Sequence, residues 1–243
     1  MKKKILVLFT SANPLTNAHI NIMKTAVGHL GAEKGLFVAT NGQYLRRKTV
    51  KINDPFYLTE DERRYIIEKA CESEPGLDFW GYEMGGINPR RYQTLYKIRD
   101  RYPDYDIYEL QGADKILSLV RFKNYEDHVS NLHFAVVGRN DIDAEKFISD
   151  DPVLSRYSDH FVLMPPLDDG AAISSTEVRR RFYAGRDYTD LVPDAAAEIL
   201  GKHKPSDFTL TYGDVMKTLM RSGRSGAYRA NKKSLHREHR TVQ

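Results

Sequence analysis

Short apolar runs alternate with longer amphipathic segments through most of the chain. The apolar runs predict six strands, at about 4–10, 36–40, 77–83, 106–110, 133–138 and 160–164. Elsewhere apolar positions recur every three or four residues and predict helices at about 19–30, 59–73, 91–101, 115–120, 123–129, 174–184 and 193–203. Short apolar strands of this kind fit a mainly parallel sheet that is covered on both faces. The pattern therefore predicts a Rossmann-like, doubly wound α/β fold.

This pattern ends after Lys204-Pro205, where the sequence becomes polar and basic. We therefore predict an α/β domain over 1–204 and a basic C-terminal extension over 205–243 that is partly disordered. The chain of 243 residues carries a net charge of +4, of which residues 202–243 contribute +7 and the remainder −3. Because the positive charge lies in the tail, nucleic acid is not expected as a partner of the domain.

The composition is that of an ordinary soluble globular protein, with 41% hydrophobic and 29% charged residues. The chain has one cysteine, Cys71, which excludes an internal disulfide and favours a reducing compartment. The apolar part of KKKILVLF at the N-terminus is too short for a signal peptide. No segment approaches the roughly 20 apolar residues of a membrane span. We expect a cytoplasmic protein without membrane contact, and homo-oligomerisation stays open.

Two stretches that follow predicted strands contain candidate ligand-binding residues. TSANPLTNAHI at 10–20 breaks the first strand at Asn13-Pro14 and places His19 at the head of a helix, where backbone N–H groups attract anions. His19 is either a phosphate ligand or a solvated loop residue. In LQGADKIL at 110–117, Gly112 permits close approach to the backbone. Asp114 then either accepts from ribose hydroxyls or caps the next helix.

A third stretch, AISSTEVRRR at 172–181, indicates a phosphate site at a helix start. Ser174 and Glu177 have the spacing of a capping box, which explains these two residues structurally. It does not explain Ser175, Thr176 and Arg179. Two hydroxyls on the first helical turn, together with a cation one turn further on, indicate a site for a polyanion.

Together the three stretches resemble the motifs of the nucleotidyltransferase superfamily: Thr-x-x-His, Gly-Ala-Asp and a helix that begins Ile-Ser-Ser-Thr-x-[Ile/Val]-Arg. Within it, residues 4–204 resemble the nicotinamide/nicotinate mononucleotide adenylyltransferases, which makes the predicted α/β domain a catalytic domain. Residues 13–19, NPLTNAH, resemble the Asn-Pro-x-Thr-Asn-x-His motif of that family, and LVPD at 191–194 also resembles it. The chain departs from the family at Thr10 and Ala12, where Gly and Phe are usual.

The resemblance implies that ATP and a pyridine mononucleotide form a dinucleotide and pyrophosphate in NAD biosynthesis, with Mg²⁺ bridging the substrate phosphates and no protein-built metal site. It implies that the catalytic residues are His19, Thr16 and Arg179. The further ATP contacts would be Ser11, Asn13, Gly112, Asp114, Ser174, Ser175 and Thr176. The mononucleotide contacts would be Arg47, Tyr92, Thr94, Phe122 and Arg139. Arg46-Arg47 could equally lie in a solvated loop, and Arg63 is interpreted as a partner of nearby acidic residues.

Two other functions stay open at this point. The first is another adenylyl- or cytidylyltransferase of the same superfamily, such as a pantetheine-phosphate adenylyltransferase. The second is a non-catalytic nucleotide-sensing or RNA-binding protein, suggested by Thr10, Ala12 and the basic tail. The choice between nicotinate and nicotinamide mononucleotide also stays open.

Overall fold

The computed structural model describes residues 2–86, 89–122, 124–138, 142–165 and 174–210. Its centre is one parallel sheet of six strands: β1 (Lys3–Thr10), β2 (Lys34–Ala39), β3 (Leu77–Phe79), β4 (Tyr105–Gly112), β5 (His133–Val137) and β6 (Phe161–Met164). The strands lie in the order β3-β2-β1-β4-β5-β6. The order reverses between β1 and β4, so the carboxyl ends of these strands flank the switch point where such sheets bind ligands.

Helices cover both faces of the sheet. Within the described residues they are α1 (Asn17–Leu30), α2 (Gly42–Lys51), α3 (Glu60–Glu72), α4 (Arg91–Arg101), α5 (Ala113–Leu119), α6 (Tyr125–Val129), α7 (Ala144–Asp150), α8 (Ser175–Tyr183) and α9 (Asp194–Gly201). Side chains of α1, α3, α8 and α9 pack on one face, and those of α4 to α7 pack on the other. The predicted doubly wound α/β fold is thereby confirmed.

The two-sided core explains why the strands are apolar at successive positions. In β1, Leu6 packs on the face covered by α1, whereas Ile5 and Val7 pack on the opposite face, and all three are fully buried. Consecutive strand residues point to opposite faces, so a sheet that is covered on both faces requires apolar residues at odd and even positions alike. The central strand is therefore a continuous hydrophobic run.

The structure differs from the predicted elements at several places. β3 ends at Phe79 and not at 83, because the chain turns into a short 3₁₀ helix (Gly81–Met84). The sequence pattern gave no sign of α2 or α7, since α2 is strongly basic and α7 has only seven residues. α5 begins at Ala113, two residues before the predicted start at 115.

The domain packing continues past Lys204. The Phe208 ring is buried and stacks on Phe56 at 4.4 Å between centroids, and it meets Phe182 edge-on at 5.7 Å. Thus Phe208, the fourth residue of the predicted extension, belongs to the hydrophobic core. Residues 211–243 lie outside the described part of the chain, so the character of the remaining tail stays a prediction. Among the described helices, none has the length and apolar character needed to cross a membrane.

Candidate active site

An open cavity of about 350 Å³ lies at the carboxyl edge of the sheet. Its walls come from the β1–α1 loop, from α2 with the segment that follows it, and from the N-terminus of α8. Ser175 Oγ donates to the carbonyl of Pro14 at 2.9 Å across a separation of 161 residues. The fold therefore brings the first and third motifs together. Its polar lining comprises Ser11, Asn13, His19, Lys48, Thr49, Asp54, Ser174, Ser175, Thr176 and Arg179.

His19 is held by Thr16 at the start of α1. The Nδ1 atom accepts the backbone N–H of Thr16 at 3.3 Å and lies 2.6 Å from Thr16 Oγ1. An Nδ1 that accepts a hydrogen bond leaves the ring proton of a neutral imidazole on Nε2. Thr16 is fully buried, so its role is to orient His19 and fix the tautomer. His19 thus lines the cavity, and Thr16 holds its ring in position.

Arg179 connects three walls of the cavity. Its Nε donates to Asp54 Oδ2 at 2.6 Å, its Nη1 to the carbonyl of Asn13 at 3.0 Å, and its Nη2 to Thr176 Oγ1 at 3.1 Å. The side chain is almost completely buried. A guanidinium fixed by three partners presents its remaining N–H groups in one orientation, as recognition of a phosphate requires.

Asn13 and Ser11 shape the first loop. Asn13 Nδ2 donates to the carbonyl of Phe56 at 3.0 Å, and its Oδ1 accepts the N–H of Leu58 at 2.9 Å. The Asn13 side chain therefore fixes the wall that follows α2, and its predicted contact with ATP stays a prediction. Ser11 faces the cavity and accepts a hydrogen bond from Lys48 Nζ at 2.9 Å.

The unusual residues of the first loop stabilise its turn. Ala12 has a positive φ of 43°, a conformation that is uncommon for residues other than glycine. The Thr10 hydroxyl accepts the N–H of Ala12 at 3.0 Å, and Thr10 itself is buried. Thr10 is not one of the cavity-lining side chains in the described structure. Its hydroxyl supports the loop from behind and does not narrow the cavity.

Lys48 is a cavity residue that the sequence did not reveal. Because 42–51 is a helix, Leu45, Lys48 and Thr49 share one face, and all three line the cavity. The predicted contact Arg47 lies off this face, and within the described structure it is not part of the cavity lining. Its neighbour Arg46 instead stacks on the Tyr57 ring, with 4.2 Å from the guanidinium carbon to the centroid.

The N-terminus of α8 is capped differently from the prediction. Ser174 is the N-cap and its Oγ accepts the N–H of Glu177 at 3.2 Å, as expected. The carboxylate of Glu177 binds Arg180 and Arg181, with its shortest contacts at 2.7 Å and 3.0 Å. These two pairs replace the reciprocal contact of a capping box, and they hold the pKa of Glu177 down at about 2. Arg180 and Arg181 are thereby directed away from the cavity.

The cavity is electropositive and partly withdrawn from water. Burial lowers the pKa of His19 to about 4, and the nearby Lys48 ammonium acts in the same direction. Burial and the charge of Arg179 likewise lower the pKa of Lys48. The partial positive charge of the α8 N-terminus adds to this field. The Lys48 and Arg179 cations disfavour one another, and a bound polyanion would stabilise both.

A residue of α3 that lies outside the cavity lining supports the cavity walls. Arg63 is fully buried, and its Nη1 donates to the carbonyls of Ser11 at 3.0 Å and Thr40 at 2.7 Å. Its expected ion pair with nearby acids is thus replaced by a connection between the first loop and the end of β2. In the sequence, Arg63 has helical spacing to Ile66, Ile67 and Ala70, so it falls on the apolar face of α3. A charged side chain on such a face needs hydrogen-bond partners, and this spacing was the signal for its structural role.

Gly112 and Asp114 lie at the carboxyl end of β4, beside the switch point. Gly112 is the N-cap of α5, and Asp114 stands in the first turn of that helix. Asp114 is therefore not the helix cap, and one of its carboxylate oxygens lies 2.6 Å from Lys115 Nζ. Neither residue lines the described cavity, so their contact with the ribose stays a prediction.

The residues predicted for the mononucleotide lie in different surroundings, and their contacts with a substrate stay a prediction. The Tyr92 ring stacks on His128 at 4.5 Å, and Phe122 is 60% exposed. Thr94 is fully buried and its hydroxyl donates to Glu83 at 2.7 Å, so it has no surface available for a ligand. This burial argues against its predicted contact with the mononucleotide, which stays a prediction. Arg139 lies outside the described residues.

The fold and the basic, hydroxyl-lined cavity suit a nucleotidyltransferase, and the comparison with known proteins identifies this class. The chain matches the cytidylyltransferase-like family over residues 7–181. It is 32% identical to the probable nicotinate-nucleotide adenylyltransferase of Corynebacterium jeikeium over 194 residues, which cover 79% of this chain and 94% of the relative. It is 25% identical to the protein of the same name from Clostridium tetani over 207 residues, covering 84% and 98%.

A solved structure shows the same fold. The nicotinic acid mononucleotide adenylyltransferase of Plasmodium falciparum, complexed with NaAD, superposes with a TM-score of 0.62 at 18% identity and covers 86% of this chain and 100% of its own. This chain belongs to the cytidylyltransferase-like family and is a nucleotidyltransferase. Within that family it is related to the nicotinate-nucleotide adenylyltransferases.

Proposed function

We propose that this protein transfers the adenylyl group of ATP to nicotinate mononucleotide, which gives deamido-NAD and pyrophosphate. The observation that carries the proposal is the electropositive cavity between the β1–α1 loop and α8, which contains His19, Lys48 and Arg179. The names of the curated relatives support the choice of nicotinate mononucleotide as the acceptor. The same acceptor is named for the Plasmodium falciparum enzyme.

The reaction requires two anionic phosphates to be held together while negative charge develops on the oxygen that bridges the α- and β-phosphates of ATP, which leaves as part of pyrophosphate. The mononucleotide phosphate attacks the α-phosphorus of ATP in line, and no covalent enzyme intermediate is needed. His19 Nε2–H would donate to the ATP phosphates as a neutral imidazole. Arg179, with Ser175 and Thr176 at the α8 N-terminus, would hold the β- and γ-phosphates and stabilise the leaving pyrophosphate.

ATP would enter as its Mg²⁺ complex. The described residues contain no group of three histidine, cysteine or acidic side chains that could hold a metal ion. Asp54, the acidic residue that lines the cavity, is occupied by Arg179. The donors of the cavity therefore fit phosphate oxygens, and Mg²⁺ would be carried by the substrate phosphates.

The proposed compartment is the cytoplasm. Cys71 is the single cysteine of the chain and is half-buried, and burial raises the pKa of its thiol to about 12. A thiol that is protonated at neutral pH is unreactive, which suits a structural position.

An acceptor panel tests the proposed reaction. The protein is incubated with Mg-ATP and, separately, nicotinate mononucleotide, nicotinamide mononucleotide and 4′-phosphopantetheine, and both the product and pyrophosphate are quantified. We expect a dinucleotide from a pyridine mononucleotide, with equal amounts of pyrophosphate. Turnover of phosphopantetheine alone would indicate a different superfamily activity. Folded protein that binds ATP without turnover of any acceptor would indicate a nucleotide sensor.

A further inference from the structure

A second polar cluster lies at the switch point, on the sheet face that is opposite to α1. Arg91 is the first residue of α4, and its Nη1 donates to Glu109 Oε1 of β4 at 2.6 Å. Its guanidinium carbon also stands 4.7 Å from the centroid of Phe9 in β1. Ser11, which lines the phosphate cavity, follows Phe9 by two residues, or about 7 Å of extended chain. The cluster therefore adjoins the proposed reaction centre.

Gln111 belongs to the same cluster. The β1–β4 register pairs Leu8 with Leu110, so one step further along the strands Phe9 lies beside Gln111. Gln111 also follows Glu109 by two residues and shares its sheet face. The side-chain nitrogen of Gln111 is buried and has no hydrogen-bond partner among the described residues. A buried donor without a partner is rare in folded proteins and requires an explanation, such as a ligand acceptor.

Arg91 also retains donors that could reach a ligand. Its side chain is 46% exposed, whereas that of Glu109 is 5% exposed, so the buried partner holds one edge of an accessible guanidinium. A second buried carboxyl nearby, Glu83, is bound by Thr94. Burial raises the pKa values of both Glu83 and Glu109, and the Arg91 charge opposes that rise. The ion pair with Glu109 therefore holds the guanidinium of Arg91 in a fixed orientation.

We propose that Arg91, assisted by Gln111, reads the substituent of the pyridine ring and selects the carboxylate of nicotinate over the amide of nicotinamide. This inference rests on the proposed function. A guanidinium and an amide nitrogen offer only donors, and a carboxylate offers only acceptors. A carboxamide would turn its own NH₂ donor toward one of them, and it lacks the negative charge that favours contact with Arg91.

The test compares kcat/KM for nicotinate and nicotinamide mononucleotide, each at saturating Mg-ATP, in matched variants. Arg91→Met removes the proposed reader, whereas Glu109→Gln removes the charge of its partner but keeps a side-chain oxygen that can accept from Arg91. Arg99→Met is the control, because Arg99 lies on the same helix, is 43% exposed, pairs with Asp100 and stands 4.7 Å from the Tyr96 centroid. Gln111→Leu tests the assisting donor.

We expect the wild-type protein to prefer nicotinate mononucleotide. Arg91→Met should lower kcat/KM for this acceptor by about 10- to 100-fold and leave the nicotinamide value nearly unchanged, as loss of a charged hydrogen bond predicts. Glu109→Gln and Arg99→Met should keep the preference, and Gln111→Leu should reduce it several-fold. If Arg91→Met is poorly folded because it leaves Glu109 unpaired, the double variant Arg91→Met/Glu109→Gln removes both charges.

Several results would overturn the inference. If the ion pair has only a structural role, Arg91→Met and Glu109→Gln will each lower kcat/KM for both acceptors to the same extent. Both variants will then also have a lower melting temperature. An unchanged acceptor ratio in Arg91→Met, or a wild-type preference for nicotinamide, would also exclude Arg91 as the reader. If wild-type protein forms no dinucleotide from either acceptor, the proposed function fails first and the inference fails with it.

Discussion

At the scale of single residues, His19 shows how burial prepares a neutral donor. Its pKa is about 4 in the folded protein, compared with an ordinary value of 6.5. The folded state therefore binds this proton more weakly than the unfolded state. The stability that depends on neutral His19 is fully present above pH 6.5 and is lost as the pH falls from about 6.5 toward 4.

This shift predicts the acid sensitivity of a variant. His19→Gln should lose less unfolding free energy than the wild-type protein between pH 7 and pH 4.5, because glutamine does not titrate. Urea unfolding at the two pH values measures the difference. His29→Gln, an exposed position at the end of the same helix, should behave like the wild type. Equal pH dependence in His19→Gln and the wild type would show that His19 is not held neutral.

Arg179 supports a second residue-scale prediction. Arg179→Ala should lower kcat/KM for ATP by about 100-fold, because charge-assisted contacts to two phosphates are lost. It should also lower the melting temperature, since three walls of the cavity lose their common partner. Arg180→Ala is the control, as Arg180 is exposed and paired with Glu177. An equal loss of ATP use in both variants would indicate general surface charge.

The sequence could predict Arg179 because helical spacing after a cap places it on the same face as Ser175. The sequence could not predict the contacts of Glu177. Arg180 and Arg181 compete with the backbone N–H of the N-cap for its carboxylate, and the two arginines bind it in the structure. The surroundings of Thr94 are a similar case. The resemblance placed it near the acceptor, but only the packing of Glu83 shows that its hydroxyl is already occupied.

At the scale of elements, α2 determines which basic residue faces the cavity. The segment 42–51 has few apolar positions, so hydrophobic periodicity did not indicate a helix. The prediction that Arg47 contacts the mononucleotide rests only on its position after β2. On the helix, the residue that shares a face with Leu45 and Thr49 is Lys48. Strands and long amphipathic helices were predictable because burial on one or both faces dictates their patterns.

A pair of adjacent substitutions tests this helical face. Lys48→Met should raise KM for ATP by about tenfold, because a partly buried cation beside the phosphates is lost. Arg47→Met should change KM by less than about twofold, since its neighbour on the helix takes the cavity position. Initial-rate kinetics at fixed mononucleotide measure both values. A larger effect of Arg47→Met would mean that α2 presents a different face to ATP.

At the scale of the whole molecule, the C-terminal segment helps to hold the wall of the site. Phe208 stacks on Phe56, whose backbone carbonyl is bound by Asn13 of the first loop. The sequence allows this contact, because Phe208 is an apolar residue within the polar segment that follows Lys204, but it does not say where the ring packs. Sheet order likewise came from the structure, since a pattern of strands does not specify which strands are neighbours.

Phe208→Ala should destabilise the protein by about 3–5 kcal/mol, as expected for an aromatic ring removed from a packed core. Chemical denaturation measures this loss. Phe122→Ala is the control, because Phe122 is exposed, and it should change stability by less than about 0.5 kcal/mol. A chain that ends at Lys204 should be destabilised like Phe208→Ala, whereas one that ends at Leu210 keeps the ring. Equal stability of the two shortened chains would show that Phe208 is dispensable.

We propose above all that the cavity between the first loop and α8 catalyses adenylyl transfer, with His19 as a hydrogen-bond donor to the ATP phosphates. The most direct test of this proposal follows ATP labelled at the α-phosphorus or at the γ-phosphorus in the presence of nicotinate mononucleotide. We predict that the α label appears in the dinucleotide and the γ label in pyrophosphate. His19→Ala should slow this transfer by about 100-fold, with His29→Ala unchanged. Absence of α label from a dinucleotide, or transfer by His19→Ala at the wild-type rate, would contradict the account.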